Sequence, residues 1–386
     1  GKYLDWGYFD HPPLVALLCK VSSLFFHGNL GVRLLTLVLQ IPTLILIWKQ
    51  LENNTFSERQ SVLVFFILSA SLFLFVAYGF TTTPDVPLLF FTALFLFSYK
   101  RFLEKEGWAD VLMISISMAG LVYSKYQGVL VIFFVLLSNI RLLFHPKFVS
   151  AAVLSILLCL PHFFWQYTHD FPSFKYHLIE RSKPFDWGYF FEYLPNQLVT
   201  FNPFTLFGAG FVIFKLKPAN RYERAQYFII VGLLSFFWLT SFRGHVEPQW
   251  TVVASVPMII LLHNNFHRND WLKKYVLKFI AGSLVLVFIA RFVLVSNLLP
   301  ASLELSGKEA RYRAIEKLAK DRPVIFTGSF QHPSLYTFFT GKPATVISSL
   351  SSRRTQFDIW QLEKNWLTKP VFLCGVYANR SRSFNI

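Results

Sequence analysis

Five short polar stretches interrupt an otherwise apolar chain, and their side chains are those needed to move a group off a phosphate. Gly7-Tyr8-Phe9-Asp10-His11-Pro12-Pro13-Leu14 sets a carboxylate and an imidazole beside two prolines, which restrict the backbone and predict a stiff segment that holds His11 extended. Thr81-Thr82-Thr83-Pro84-Asp85 places an acid where an apolar run resumes, either as a first-turn carboxylate favoured by the helix dipole or as a functional group at membrane depth. Tyr123-Ser124-Lys125-Tyr126-Gln127 puts a cation in a tight connection, where it either binds phosphate or snorkels to the interface. Residues 167–200 carry His169, Asp170, Lys175, His177, Glu180, Arg181, Lys183, Asp186 and Glu192 without strong periodicity, and read as a long loop. Arg243-Gly244-His245-Val246-Glu247-Pro248-Gln249-Trp250 packs cation, imidazole and carboxylate into one turn, where Arg243 and Glu247 either pair or serve a site. In such a set a carboxylate takes the proton of an attacking hydroxyl, and Lys, Arg or His stabilises charge on a departing phosphate. A sugar on a polyprenyl phosphate, presented at a membrane surface, suits that chemistry without a nucleotide, and the chain has no Gly-rich phosphate loop.

Composition says what must position these groups. With 54% hydrophobic and 15% charged residues and a mean hydropathy of +0.45, this 386-residue chain reads as a multi-pass membrane protein. Apolar runs at 32–49, 61–80, 85–100, 108–124, 128–143, 148–166, 201–216, 225–242, 249–264 and 274–298 are candidates to cross about 30 Å of hydrocarbon. Lys and Arg gather in alternate connections, including the one with His267 and Arg268, so the net charge of +16 signals orientation rather than a nucleic-acid partner. The five polar stretches then share the opposite, outer face. Residues 12–27 would begin and end on that face, so they read as a helix lying in the interface. The three cysteines show no metal-like spacing. Because the first residue is Gly, the expectation is that a longer protein extends upstream.

Beyond residue 299 the pattern changes. Gly307 to Lys320 carries charge at helical spacing, and Pro323–Gly328, Ala344–Ser348 and Pro370–Gly375 read as short buried strands. The expected domains are a membrane-embedded unit, 1–299, and a small α/β extracytoplasmic domain, 300–386.

The run Tyr8-Phe9-Asp10-His11-Pro12-Pro13-Leu14 resembles the Tyr-x-Glu-Lys-Pro-Pro-Leu element of bacterial glycosyltransferases related to protein O-mannosyltransferases and to the aminoarabinose transferase of lipid A. Further matches follow in order at Val32-Arg33-Leu34, Thr83-Pro84-Asp85-Val86-Pro87, Ser124-Lys125-Tyr126, Phe164-Trp165-Gln166, His169-Asp170-Phe171, Asn202-Pro203, Val246–Trp250, Gly341-Lys342-Pro343 and Arg353–Trp360. The resemblance implies an all-α polytopic membrane bundle of GT-C type with a juxtamembrane helix and a C-terminal α/β domain. It implies an inverting glycosyltransferase at the periplasmic face of the bacterial inner membrane, with a polyprenyl-phosphate sugar donor, membrane lipid as surroundings, and lipid A, a glycan or a protein hydroxyl as acceptor. In that family the acid of the Pro-Pro-Leu element lies near a bound metal and the adjacent Lys contacts lipid phosphate, positions held here by Asp10 and His11. The family usually has an acidic pair at the end of a preceding span, and the resemblance implies that its counterpart would fall before residue 1.

On this reading Asp85 and Asp10 are the catalytic carboxylates, with Asp10 also the candidate ligand of a divalent metal. Tyr8, His11, Lys125, Tyr126, Arg243, His245, Glu247 and Trp250 are the substrate-binding set. The rival class is a multi-pass lipid or solute transporter, which also buries ionisable groups but often shows internal repeats; none is visible here.

Overall fold

The computed structural model describes residues 3–52, 58–181, 184–266, 268–296, 308–347, 353–366 and 368–375. Lys183 and His267 lie outside them. The chain divides into two compact units, Gly1–Phe292 and Val293–Ile386.

In the first unit a short helix α1 (Leu14–Ser22) precedes α2 (Gly28–Trp48), α3 (Glu58–Ser71), α4 (Phe73–Ala77), α5 (Asp85–Lys105), α6 (Trp108–Ser124), α7 (Gly128–Ser138) and α8 (Pro146–Thr168). Next come α9 (Pro172–Lys175), continuing into a π turn over Tyr176–Glu180, then α10 (Trp187–Phe201), α11 (Pro203–Lys215) and α12 (Arg221–Thr240). A 3₁₀ stretch over Pro248–Ala254 leads into α13 (Ser255–Asn265), followed by α14 (Asp270–Tyr275), a second π turn and α15 (Ala281–Val295). Nine residues make α1 about 14 Å long, too short to span, as the interfacial reading requires. The exposed turn Leu24-Phe25-Phe26 after it keeps an apolar face outward.

The ten apolar runs correspond to helices, yet by length and composition five described helices can cross a membrane alone, or six if α10 and α11 count as one bent span. The others are short or broken: Leu72 is extended between α3 and α4, and α13 begins as a 3₁₀ stretch. A polar backbone break is tolerated in a bilayer only where protein buries it, and Leu72 is fully buried. The larger departure is 187–201, expected as loop and found as helix α10. Asp186 caps it by accepting from the Gly188 amide at 2.7 Å. Its buried face is Tyr193, Gln197 and Thr200, while Trp187, Phe191, Leu194 and Leu198 are exposed. This inverted amphipathicity hides the helical pattern from a reading that expects apolar residues inside. A 97° bend follows, at Asn202 (φ 64°), whose side chain caps the Phe204 amide and donates to the Ser71 carbonyl and to Ser283 Oγ.

Connections separate into two polar layers. At one end Arg268 bridges Glu223 (2.8 Å) and Glu52 (3.3 Å), and Lys100 donates to the Gln50 carbonyl, tying down the Lys/Arg-rich turns. At the other, Thr82 Oγ1 donates to the Val32 carbonyl and Lys125 meets Asp85, and here the polar stretches collect.

The second unit contains α16 (Lys308–Ala319), β1 (Val324–Thr327), α17 (Gln331–Thr340), β2 (Ala344–Ile347), α18 (Gln356–Trp360) and β3 (Phe372–Gly375). Its parallel sheet has order β2-β1-β3, with Val324 opposite both Ala344 and Phe372. Tyr312, Phe326, Tyr336 and Val346 form its core.

Candidate functional site

The leading segment is gripped by its carbonyls. His162 on α8 bonds the Trp6 carbonyl through Nδ1 (2.7 Å), Ser173 on α9 donates to the Tyr8 carbonyl (2.9 Å), and His177 meets the Asp10 carbonyl through Nε2 (3.1 Å). Alternate carbonyls 6, 8 and 10 are thus held by side chains of one stretch, 162–177. A carbonyl can only accept, so His162 carries its proton on Nδ1 and His177 on Nε2. His162 Nε2 is then an acceptor, filled by the Tyr126 hydroxyl (3.2 Å), and Gln166 Nε2 donates to both Tyr126 and Ser173 at 2.8 Å. The segment is bent rather than straight as expected: the Tyr8 amide donates to the His11 carbonyl at 3.1 Å. Tyr8 and Tyr126, two of the expected substrate contacts, spend their hydroxyls here, Tyr8 by donating to the Tyr3 carbonyl (2.8 Å). Replacing the buried Ser173 by Ala leaves the Tyr8 carbonyl and one Gln166 proton unpaired. The expected loss is about 1–3 kcal/mol of unfolding free energy, measured against exposed Ser150→Ala as control, which should change little.

The segment delivers Asp10 and His11 to a buried ion pair. Lys125 Nζ lies 2.8 Å from Asp85 Oδ1, and the two residues are 4% and 3% exposed. Lys125 therefore neither snorkels nor stands as an open phosphate ligand. Asp85 is held by the first turn of α5 and Lys125 by the end of α6, helices packed along their length. His11 lies within electrostatic range of Asp10, Lys125, His177 and Asp85, and its Nδ1 is buried without a partner.

Burial, which penalises the charged ring, pushes the His11 and His177 imidazoles below their usual value. The unfolded chain then takes up protons first as pH falls. The stabilisation from neutral rings is complete above about pH 6.5 and is lost as pH drops from there through the lower folded values. The unfolding midpoint in detergent should be flat from pH 8 to 7 and fall below about 6.5, and His177→Gln should flatten part of that fall.

A second group surrounds Glu247. Arg181 stacks its guanidinium 4.0 Å from the Trp250 ring centre and reaches Glu247 at 3.9 Å; His245 lies between Glu192 (3.0 Å) and Glu247 (3.7 Å). Arg181 also lies within electrostatic range of His177, joining this group to the first. Glu247 is thus paired with Arg181 and His245, and Arg243, offered by the sequence as its partner, is exposed. Arg181, in the sequence only one of many polar residues of 167–200, is the member of this group that residue types alone did not single out. Its signal was a cation in the polar stretch nearest Trp250 in space, a proximity invisible along the chain.

A metal at Asp10 does not fit these donors. Among the described residues no three His, Cys, Asp or Glu side chains are placed to hold one, and Lys125, a cation within electrostatic range of the adjacent His11, works against another positive charge.

Residues 10–165 match the family model for dolichyl-phosphate-mannose-protein mannosyltransferase. An uncharacterized protein of Aquifex aeolicus is 24% identical over 276 residues, covering 69% of this chain and 54% of its own length, so the chain spans about half of that relative. Among solved structures, the crystal structure of ArnT from Cupriavidus metallidurans in the apo state matches with a TM-score of 0.64 at 14% identity, covering 94% of this chain and 79% of that one. The structure of the same protein bound to undecaprenyl phosphate matches with a TM-score of 0.64 at 15% identity over 95% and 80%. The sequence match covers about two fifths of the chain and the architecture matches in space, so the chain has the GT-C-type membrane fold and is similar, over residues 10–165, to the dolichyl-phosphate-mannose-protein mannosyltransferases.

Proposed function

We propose that the whole protein transfers a sugar, with inversion, from a polyprenyl-phosphate donor to a hydroxyl of lipid A, a glycan or a protein at the periplasmic face of the inner membrane. The observation that carries this reading is the meeting of Asp10, His11, the Asp85–Lys125 pair, Arg181 and Glu247 at one end of the bundle. Beside the clamped segment, an apolar cavity of about 760 Å³ lined by Leu4, Trp6, Leu14, Leu17, Phe91 and Tyr123 offers a seat for an isoprenoid tail. The ArnT structure bound to undecaprenyl phosphate supports the lipid class.

In this mechanism the acceptor oxygen attacks the anomeric carbon as the bond from that carbon to the phosphate oxygen breaks, and the electron pair leaves with the lipid phosphate. Asp10 receives the acceptor proton. Arg181 and His11 hold the phosphate, and Lys125, neutralised by Asp85, fixes the field beneath them. The test incubates purified full-length protein with radiolabelled undecaprenyl-phosphate mannose. Free undecaprenyl phosphate together with a labelled acceptor supports transfer. Intact donor carried between leaflets of a vesicle would make the protein a transporter instead.

A further inference from the structure

Tyr78 caps the C-terminal end of α4, seven positions before Asp85. Helix α4 packs against α10 and against the 3₁₀ stretch that follows Glu247, so this ring stands where the two polar groups approach one another. Its ring is buried in the main core, at 9% exposure, while its hydroxyl bonds to no other described residue and keeps a small accessible surface. That combination is unusual beside Tyr99, Tyr193, Tyr222 and Tyr227, buried tyrosines of the same core whose hydroxyls all have partners. Tyrosine hydroxyls in cores find partners, and Phe would fill the same space without that demand. The hydroxyl also feels the charges of both Asp85 and Glu247. Sugar hydroxyls donate to carboxylate oxygens and accept from a phenol, whereas an ionised lipid phosphate has no proton to give to either carboxylate and finds its partner in the Arg181 guanidinium.

We propose that the Tyr78 hydroxyl is a contact of the transferred sugar, donating to a ring hydroxyl between Asp85 and Glu247, while the phosphate lies on the Arg181 side. This rests on the transfer reading above. It makes Tyr78 a substrate residue that recognises the sugar and not the lipid.

The test compares wild type and Tyr78→Phe for binding of undecaprenyl phosphate and of undecaprenyl-phosphate mannose in nanodiscs, with the unfolding midpoint measured alongside. Phe keeps the ring packing and orphans nothing, so the midpoint stays. The expected result is unchanged affinity for undecaprenyl phosphate and about tenfold weaker binding of the mannosyl lipid. Equal loss for both lipids, or loss for neither, overturns the assignment while leaving the transfer reading intact. Failure of the wild type to bind undecaprenyl phosphate overturns both. Glu247→Gln provides a second variant, expected to weaken the mannosyl lipid alone; an equal loss of undecaprenyl phosphate would count against the sugar subsite.

Discussion

Replacing Asp85 by Asn is expected to lower unfolding free energy by about 3–5 kcal/mol and to abolish sugar transfer, because it leaves Lys125 charged, buried and alone. Taken only as a candidate catalytic carboxylate at the start of an apolar run, Asp85 would be expected to tolerate this near-isosteric change without loss of the fold. The 2.8 Å contact changes that expectation, since both partners are almost wholly removed from water and neither can be re-solvated when the other goes. The double variant Asp85→Asn with Lys125→Met removes both charges and should recover most of the lost stability. Denaturant unfolding in detergent measures the first effect, and release of undecaprenyl phosphate from donor measures the second. If the double variant is as unstable as the single one, the pair is not what holds α5 to α6. If it recovers both stability and turnover, the charges are structural and Asp85 leaves the mechanism.

Arg181→Ala is expected to behave in the opposite way. Its side chain is partly exposed and its approach to Glu247 is a loose 3.9 Å, so the ion pair contributes at most about 1 kcal/mol. Removal of one cation from the developing phosphate charge should lower turnover by about 10²–10³-fold. Arg181→Lys keeps the charge but loses the planar fork and the stack on Trp250, and should recover only part of the rate. Single-turnover transfer and the unfolding midpoint, measured together, separate the two effects. Turnover within a factor of about two of wild type in Arg181→Ala would remove this residue from the phosphate site.

The contrast between Asp85 and Arg181 marks where sequence reasoning stops. Apolar runs of spanning length, charge that alternates between connections, and three short β-rich segments are local properties, set by the solvent each residue meets. They were enough to place the helices within a few residues and to anticipate β1, β2 and β3. The reading of α1 as interfacial rests on the same bookkeeping of charge, and the helix is found too short to span. Helix α10 escaped because its apolar side faces outward and Gln197 and Thr200 face the protein, reversing the periodicity that identifies a helix by its buried face.

The site is a different kind of quantity. Asp85 and Lys125 are 40 positions apart, Ser173 and the Tyr8 carbonyl 165, and nothing in either neighbourhood names its counterpart. Residue types marked all five polar stretches as worth attention. Which side chains are spent on the scaffold, as Tyr8, Tyr126 and His177 are, and which remain to meet a ligand, as Tyr78 does, depends on distances set by helices packing against one another. A hydrogen bond forms or fails within a few tenths of an ångström, and only the packed chain resolves positions to that scale.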